Sequence, residues 1–195
     1  MDYISINKKD NLNWLGRYLE RAYELGIYLK QYYDEMLDHK TTYEDFCTTL
    51  GIQNNFKDKE DFILKMISDT TNPSSIIYSL NCAKNNAVIL RNVLTTETIS
   101  YVQMATCLVE QELSKEIDIS KLQNVTDLIM AFWGALHDFC GYGVSYEVLL
   151  GKYIERIDVY RRFGEDEEKI ERCSQRIENF KRVLKEVKNG EIVVV

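Results

Sequence analysis

The sequence predicts an all-α fold, a bundle of about seven to eight helices with an internal two-fold repeat of a Glu-Arg helix. Only one proline, Pro73, and nine glycines occur among the 195 residues, a composition that permits long uninterrupted helices. Apolar residues recur at the helical period, as at Leu12, Leu15, Leu19 and Ala22. Helix-capping residues also precede most of these periodic segments, which disfavours a β-rich fold.

The first two helices are bounded by capping signals. Helical periodicity extends from Asn11 to about Leu37, with Asp10 or Asn11 as the N-cap. Thr42, with Asp45 three residues later, predicts a capping box for a short second helix, because each side chain can bond the other residue's backbone N–H. Gly51 is predicted to end that helix.

Two further helices and the start of a fifth follow. A short third helix is predicted from about Lys59 to Ser68. Asn72 is expected to cap the fourth, with Pro73 in the first helical position, where its missing N–H costs nothing. This helix is predicted to end at about Asn92, and Thr95 to cap the fifth.

The sixth and seventh helices are separated by glycines. Ser120 and Gln123 predict a capping box at the start of the sixth, and the GYG segment, Gly141 to Gly143, is expected to end it. The seventh helix is predicted from about Ser145 to Phe163.

The last predicted helix follows Gly164. Acidic residues fill its first turn and lysines its last, which complements the helix dipole. The tail EIVVV, residues 191–195, is predicted to be either a small strand or disordered. No linker or low-complexity segment divides the chain, so residues 1–195 are predicted to form one domain.

Composition excludes several function classes. The net charge is -7 and basic residues are interleaved with acids, so no nucleic-acid partner is predicted. No apolar run approaches the ~18 residues that span a bilayer, so no membrane partner is predicted either. Five cysteines without a CxxC pair predict reduced, mostly buried thiols and a cytoplasmic location.

No metal and no cofactor is predicted. The two histidines, His39 and His137, have no second histidine at ligand spacing. We expect His39 at an exposed helix end and His137 in the interior. Neither a Walker-type loop nor a dinucleotide-binding glycine motif occurs in the chain.

The most informative feature is a repeat. The segment LGRYLERAYEL, residues 15–25, returns as LGKYIERIDVY, residues 150–160, with five of eleven positions identical. Each copy has a glycine four residues before its glutamate, on the same helical face. A glycine there lets another backbone approach closely, so the two repeat helices are predicted to lie against each other.

Adjacent residues on a helix cannot face each other, so the Glu and Arg of one copy need other partners. One prediction is a reciprocal exchange, in which Glu20 reaches Arg156 and Glu155 reaches Arg21. The alternative is a set of local surface pairs, Arg17 with Glu20 and Lys152 with Glu155. The repeat is also compatible with two roles, packing alone or a charged pocket that holds a ligand.

Four motifs in order resemble a known family. They are NWLGRYLERAYEL from Asn13, NPSSI from Asn72, NNAVILRNVLTTE from Asn85 and LGKYIERID from Leu150. Together they are similar to the alpha-E domain family, a bacterial all-helical family named for its Glu-Arg motif. The resemblance implies an association with circularly permuted ATP-grasp proteins or with transglutaminase-like proteins, and so with a system that forms or cleaves amide bonds. The family's marked residues correspond here to Glu20, Arg21, Asn86, Arg91, Glu97, Glu155 and Arg156.

Three functions follow as hypotheses. The favoured one is an accessory or substrate-binding module of an ATP-grasp-associated amide-forming or peptide-modification system. In it, Arg21, Arg91 and Arg156 bind anions or carboxylates, while the acids Glu20, Glu97 and Glu155 hold the arginines in place. The second is an enzyme in which a repeat glutamate is the general base. The third is a structural helical module that forms a homodimer.

Overall fold

The computed structural model describes residues 6–114 and 118–189. All of the regular secondary structure in these residues is helical. The α-helices are α1 (Ile6–Leu37), α2 (Tyr43–Leu50), α3 (Lys59–Ser68), α4 (Ile76–Ile89), α5 (Thr96–Leu108), α6 (Leu122–Phe139), α7 (Tyr142–Phe163) and α8 (Glu167–Asn189). A π-helical segment, Val109–Leu113, continues α5, and a 3-10 turn, Ile119–Lys121, precedes α6. The tail 191–195 lies outside the described residues. The predicted all-α bundle is confirmed.

Helix α1 is the central element, and it packs against α7, α4 and α6. Its face at the helical period, Leu12, Leu15, Leu19 and Ala22, is fully buried. Burial of each leucine contributes about 1.5–3 kcal/mol to stability. The apolar spacing that predicted the helix is therefore the spacing that places it at the centre of the core.

Helices α1 and α7 run in the same direction. Gly16 of α1 lies against α7 near Gly151, and twelve residues further along both helices Tyr28 stacks on Phe163 with ring centroids 3.8 Å apart. Both contacts join positions separated by 135 in the sequence (151 − 16 and 163 − 28). Matching positions of the two helices thus lie side by side over about 18 Å, at the 1.5 Å rise of a helix.

A smaller second core attaches α8. On α7, Tyr153 and Ile157 pack against Ile170, Cys173 and Ile177 of α8, and all five side chains are buried. The Tyr28 hydroxyl also donates a 2.7 Å hydrogen bond to Glu165 just before α8. Helix α8 therefore covers the side of α7 that carries Tyr153.

Several predicted helix ends are confirmed. Thr42 and Asp45 form the reciprocal capping box, and Gly51 adopts the left-handed conformation with φ of 69° at the end of α2. The bounds of α3 are those predicted, with the Asp58 side chain as its cap. Thr95 caps α5 by accepting a hydrogen bond from the Thr98 backbone N–H.

The predicted start of the first helix is wrong. Asp10 and Asn11 lie inside α1, which already includes Ile6. Lysine is a good helix former, so nothing in the preceding residues stops the helix. Lys9 also forms a 2.8 Å ion pair with Glu147 of α7, and this contact ties the added turn to the bundle.

The predicted ends of the fourth helix are also wrong. Ser75 is the N-cap of α4, because its hydroxyl accepts from the Tyr78 N–H and donates to the Asp69 carbonyl. Asn72 instead forms a turn in which its side chain accepts from the Ser74 N–H. At the other end α4 stops at Ile89 rather than near Asn92.

The start of the sixth helix and the break after it differ as well. Asp118 caps the 3-10 turn by accepting from the Ser120 N–H and hydroxyl, so Ser120 is not an N-cap. Helix α7 begins at Tyr142, three residues earlier than predicted, and Gly143 lies within it. Two residues, Cys140 and Gly141, separate α6 from α7.

Two predictions about side-chain burial are corrected. His137 is exposed and lies 3.0 Å from Asp138 of the same turn, so it is not interior. All five cysteines are free, but only Cys47 and Cys173 are buried.

No helix in the described ranges combines the length and apolarity that crossing a bilayer requires.

Candidate functional site

The two repeat helices cross at their glycines. A Cβ atom added to Gly16 would lie 1.9 Å from the backbone oxygen of Val148, and one added to Gly151 would lie 1.9 Å from that of Asn13. A backbone carbonyl group of each helix therefore lies against the glycine of the other helix, in the space that a side chain would fill. The predicted close approach at these glycines is confirmed. We refer to this contact and the charged residues around it as the Glu-Arg crossing.

The predicted exchange of ion pairs is also present. The Arg21 Nε atom lies 2.6 Å from Glu155 Oε1, and the Arg156 Nε atom bonds Glu20 Oε1. Both carboxylates are almost completely buried, with exposed fractions of 0% for Glu20 and 3% for Glu155. Buried carboxylates need such partners, because an unpaired buried charge is strongly unfavourable.

The alternative local pairs are not formed, because their cations also cross to the other helix. Arg17 binds Glu155 Oε2 at 2.8 Å and Asp158 at 2.9 Å. Lys152 lies 4.0 Å from Glu20 Oε2. Each repeat glutamate thus meets two cations of the opposite helix, at matching repeat positions. The internal two-fold repeat itself stays a prediction.

The crossing has two sides with different chemistry. We call Arg17, Arg21, Glu155 and Asp158 the Glu155 side. The Glu20 side consists of Glu20, Glu24, Lys152 and Arg156. The Glu155 side borders the aromatic rings of Trp14 and Tyr18, and its arginine side chains are 23% and 28% exposed. The Glu20 side is more deeply buried.

Glu24 is a functional candidate that the sequence analysis missed. It is 4% exposed, and its Oε1 atom lies 3.0 Å from Arg156 Nε. Burial, then the nearby Glu20 carboxylate, raises the pKa of Glu24 to about 8, and a hydrogen bond to Glu20 adds to the shift. Its position four residues after Glu20, on the same helical face, was the signal available in the sequence.

The two cations of the Glu20 side have opposite net pKa shifts, although burial acts downward on both. Burial lowers the pKa of Lys152 to about 8, and Arg156 pushes it down further against the pull of Glu20. For Arg156 burial also acts downward, but the carboxylates of Glu20 and Glu24 outweigh it and raise its pKa. At neutral pH the side therefore carries a fixed Arg156–Glu20 ion pair beside two groups that titrate near pH 8.

The buried Glu24 carboxyl should make stability depend on pH. Folded Glu24 keeps its proton up to about pH 8, whereas the unfolded chain releases it near 4.5, so stability should fall as pH rises between these values. Glu24→Gln should remove this contribution, which is about 1.4 kcal/mol per pH unit for one proton. Urea unfolding of both proteins at about pH 5.5 and 7.5 measures the difference. Parallel slopes in the two proteins would contradict a protonated Glu24.

The middle motif lies elsewhere. Arg91 and Glu97 are exposed on either side of the turn between α4 and α5, and Asn86 is half-buried near the end of α4. Within the described residues Arg91 and Glu97 form no ion pair, so Glu97 does not hold Arg91 as predicted. Among the described residues, no hydrogen bond or ion pair joins Asn86, Arg91 or Glu97 to the Glu-Arg crossing. The structure thus unites four of the seven predicted site residues.

No group of three or more histidine, cysteine or acidic side chains is arranged to hold a metal ion within residues 6–114 and 118–189. What the crossing offers chemically is three guanidinium groups held by carboxylates, one buried amine and, beside the paired carboxylates of Glu20 and Glu155, the buried carboxyl group of Glu24. The guanidinium groups suit carboxylate binding, and the amine and carboxyl group suit proton transfer.

The family comparison agrees with this geometry. A family model named Alpha-E, described as a predicted alpha-helical domain with a conserved ER motif, matches residues 8–186. Searches of curated proteins and of solved structures gave no match. The matched range includes both Glu-Arg helices, α1 from its third residue and the whole of α7. Since the match covers nearly the whole sequence, the chain belongs to the Alpha-E family.

Proposed function

We propose that this protein is a carboxylate-binding accessory module of an amide-forming or peptide-modification system. The observation that carries the proposal is how the repeat glutamates hold their arginines. Glu155 and Glu20 each accept from the Nε atom of an arginine of the other helix. The side chains of Arg21 and Arg156 keep 28% and 19% of their surface exposed.

This arrangement leaves the outer edge of each guanidinium for a ligand. Within the described part of the chain, the Nη atoms of Arg21 and Arg156 have no hydrogen-bond partner. A guanidinium that is already oriented loses little side-chain entropy when it binds a planar carboxylate through two parallel bonds. Buried glutamates that orient arginines thus support binding better than they support a role in packing alone.

The Glu155 side favours a peptide ligand. The Arg17 guanidinium carbon lies 4.8 Å from the Trp14 ring centroid, and that of Arg21 lies 5.7 Å from the Tyr18 ring. Trp14 is 41% exposed, which is unusual for so large an apolar side chain. An acidic peptide could place a carboxylate on Arg21 and apolar atoms on Trp14. We therefore propose acidic peptides as the substrate class.

The amide-forming setting rests on the family resemblance. It supports a circularly permuted ATP-grasp protein or a transglutaminase-like protein as the partner, since either would act on a carboxyl or carboxamide group. A module that binds carboxylates without ATP-binding motifs of its own would then present the substrate to that enzyme.

Arg21→Gln should weaken the binding of a short glutamate-rich peptide by roughly tenfold or more. Loss of one charged bidentate contact removes about 1.5–3 kcal/mol, and 1.4 kcal/mol is a factor of ten in Kd. The chain has two tryptophans, Trp14 and Trp133, so a Trp133→Phe background leaves Trp14 as a fluorescent reporter beside the site. Titration of the peptide against Trp14 emission measures the affinity.

Arg172→Gln is the matched control. Arg172 lies on α8, its side chain is 62% exposed, and its one ion pair within the described residues is with Glu168, one turn away at 3.7 Å. We expect this variant to bind the peptide as the Trp133→Phe background does. Absence of saturable binding in the background protein would overturn the proposed function, as would equal losses in the two arginine variants.

A further inference from the structure

Lys152 occupies an unusual environment for an amine. Its residue is 7% exposed, and its Nζ atom lies 4.0 Å from the centroid of the Trp133 ring and 4.0 Å from Glu20 Oε2. At 4.0 Å neither contact is a hydrogen bond. Lys152 donates no hydrogen bond within residues 6–114 and 118–189, although a buried ammonium group normally donates several.

Two polar atoms without hydrogen-bond partners in the described part of the chain belong to the residues that contact the Lys152 amine. Glu20 Oε2 and Trp133 Nε1 are both buried and have no hydrogen-bond partner in the described residues. Buried polar groups are nearly always paired, so an acceptor and a donor left open beside an unbonded amine need an explanation. A bound polar ligand would supply the missing hydrogen-bond partners.

The lowered pKa of Lys152 favours reactivity, because it increases the fraction of unprotonated amine. With the pKa of Lys152 lowered to about 8, roughly one molecule in ten carries the free base at pH 7, against a few in ten thousand for an ordinary lysine. Desolvation next to a second cation is a known way to activate a lysine as a nucleophile. Here the second cation is Arg156, four residues along the same face of α7.

We propose that Lys152 is a nucleophilic amine that captures small 2-oxo acids as an imine, with Arg156 holding their carboxylate. The spacing of the two side chains suits a carboxylate next to a carbonyl group, since residues four apart on a helix have Cβ atoms about 5–6 Å apart. This site on the Glu20 side is separate from the peptide site proposed for the Glu155 side. Either proposal can fail without the other.

The neighbouring acids complete the chemistry. The Nζ lone pair of the free amine attacks the carbonyl carbon, and the C=O π electrons move to oxygen. Glu20 can accept a proton from the nitrogen and return it to that oxygen, which gives the carbinolamine. Glu24 then donates its proton to the hydroxyl group, which leaves as water while the nitrogen lone pair forms the C=N bond. The products are a protonated imine, one water and the Glu24 carboxylate.

Groups from four helices border this amine. The titratable or charged ones that act on it are Glu20 and Glu24 of α1, Arg156 and Tyr153 of α7, and Arg176 of α8. Tyr23, Tyr160 and Cys173 lie around Glu20, Glu24 and Arg156. Helix α6 contributes Trp133. We expect the 2-oxo acid to enter beside Arg156, which is the most exposed member of the Glu20 side, with 19% of its side chain exposed.

Reductive trapping tests the proposal on the unmodified protein. Glyoxylate with cyanoborohydride should convert the imine to a carboxymethyl amine, and peptide mass mapping should find the label first on Lys152. Lys30 is the internal comparison, because burial also lowers its pKa but its Nζ atom donates to Gln123. We expect Lys152 to be labelled at least about ten times faster than Lys30 and every other lysine.

Two further measurements separate capture from mere basicity. For each aldehyde, the labelling rate at Lys152 is divided by the labelling rate of free N-acetyl-lysine. Because acetaldehyde lacks the carboxylate, we expect this ratio to be at least about tenfold lower for acetaldehyde than for glyoxylate. Glu24→Gln should slow labelling of Lys152 by about tenfold or more while Lys30 is labelled as before. Labelling of Lys152 no faster than Lys30, or equal relative rates for the two aldehydes, would overturn the proposal.

Discussion

Replacing Gly16 or Gly151 with alanine is expected to cost more than about 4 kcal/mol or to prevent folding. The added methyl group would lie 1.9 Å from a backbone oxygen, of Val148 in one case and of Asn13 in the other. A backbone oxygen cannot rotate away as a side chain can, so α1 and α7 would have to separate. Their separation would stretch the ion pairs of Glu20 and Glu155 as well. Urea unfolding followed by circular dichroism measures the loss.

Gly134→Ala provides the control for the change from glycine to alanine. Gly134 lies within α6, and an added Cβ would meet no atom within 4 Å. Alanine is the better helix former, so this variant should gain about 0.5–1 kcal/mol. If Gly16→Ala were also neutral or stabilising, the two helices could not cross as closely as described.

The crossing could be predicted from the sequence because its parts are local. A glycine four residues before a glutamate, repeated at positions 16 and 151, specifies where two backbones can meet whatever the rest of the fold. The buried pair partners then follow from the geometry of a helix, since neighbouring Glu and Arg side chains point apart. Capping pairs such as Thr42 and Asp45 were predictable for the same reason.

What the sequence did not reveal depends on distant elements. Trp133 approaches Lys152 only because α6 packs beside α1 and α7, and nothing in either local sequence indicates this contact. The pKa of Glu24 is raised because packing buries its side chain and, next, because the Glu20 carboxylate lies beside it. In each case tertiary packing chose between locally acceptable options.

The two repeat glutamates should differ in their contribution to stability, even though their repeat positions match. Glu155→Gln should lower the free energy of unfolding by about 3 kcal/mol. Glu155 accepts from both Arg17 and Arg21, and a glutamine there offers only one acceptor oxygen while its amide faces the second guanidinium. For a chain of this size we expect the melting temperature to fall by roughly 6–12 °C.

Glu20→Gln should cost less than half as much, because Glu24 can take over. Glu24 Oε1 already lies 3.0 Å from Arg156 Nε, and loss of the Glu20 charge removes a cause of its raised pKa. Glu24 would then ionise and neutralise Arg156. The Glu20→Gln/Glu24→Gln double variant should accordingly lose more than the sum of the two single losses, as expected for groups in one network.

The comparison of melting temperatures tests whether Glu24 replaces Glu20 and whether the charges stabilise the crossing. The expected losses are compatible with carboxylate binding, because a glutamate that orients an arginine also stabilises the fold through that ion pair. Equal losses for Glu155→Gln and Glu20→Gln, with additive losses in the double variant, would show that Glu24 does not replace Glu20. Higher melting temperatures in both single variants would show that the charges are held at a cost to stability, as binding groups often are. That result would favour the carboxylate site over a purely structural clasp, because Gln keeps the shape of Glu and removes only the charge that orients each arginine.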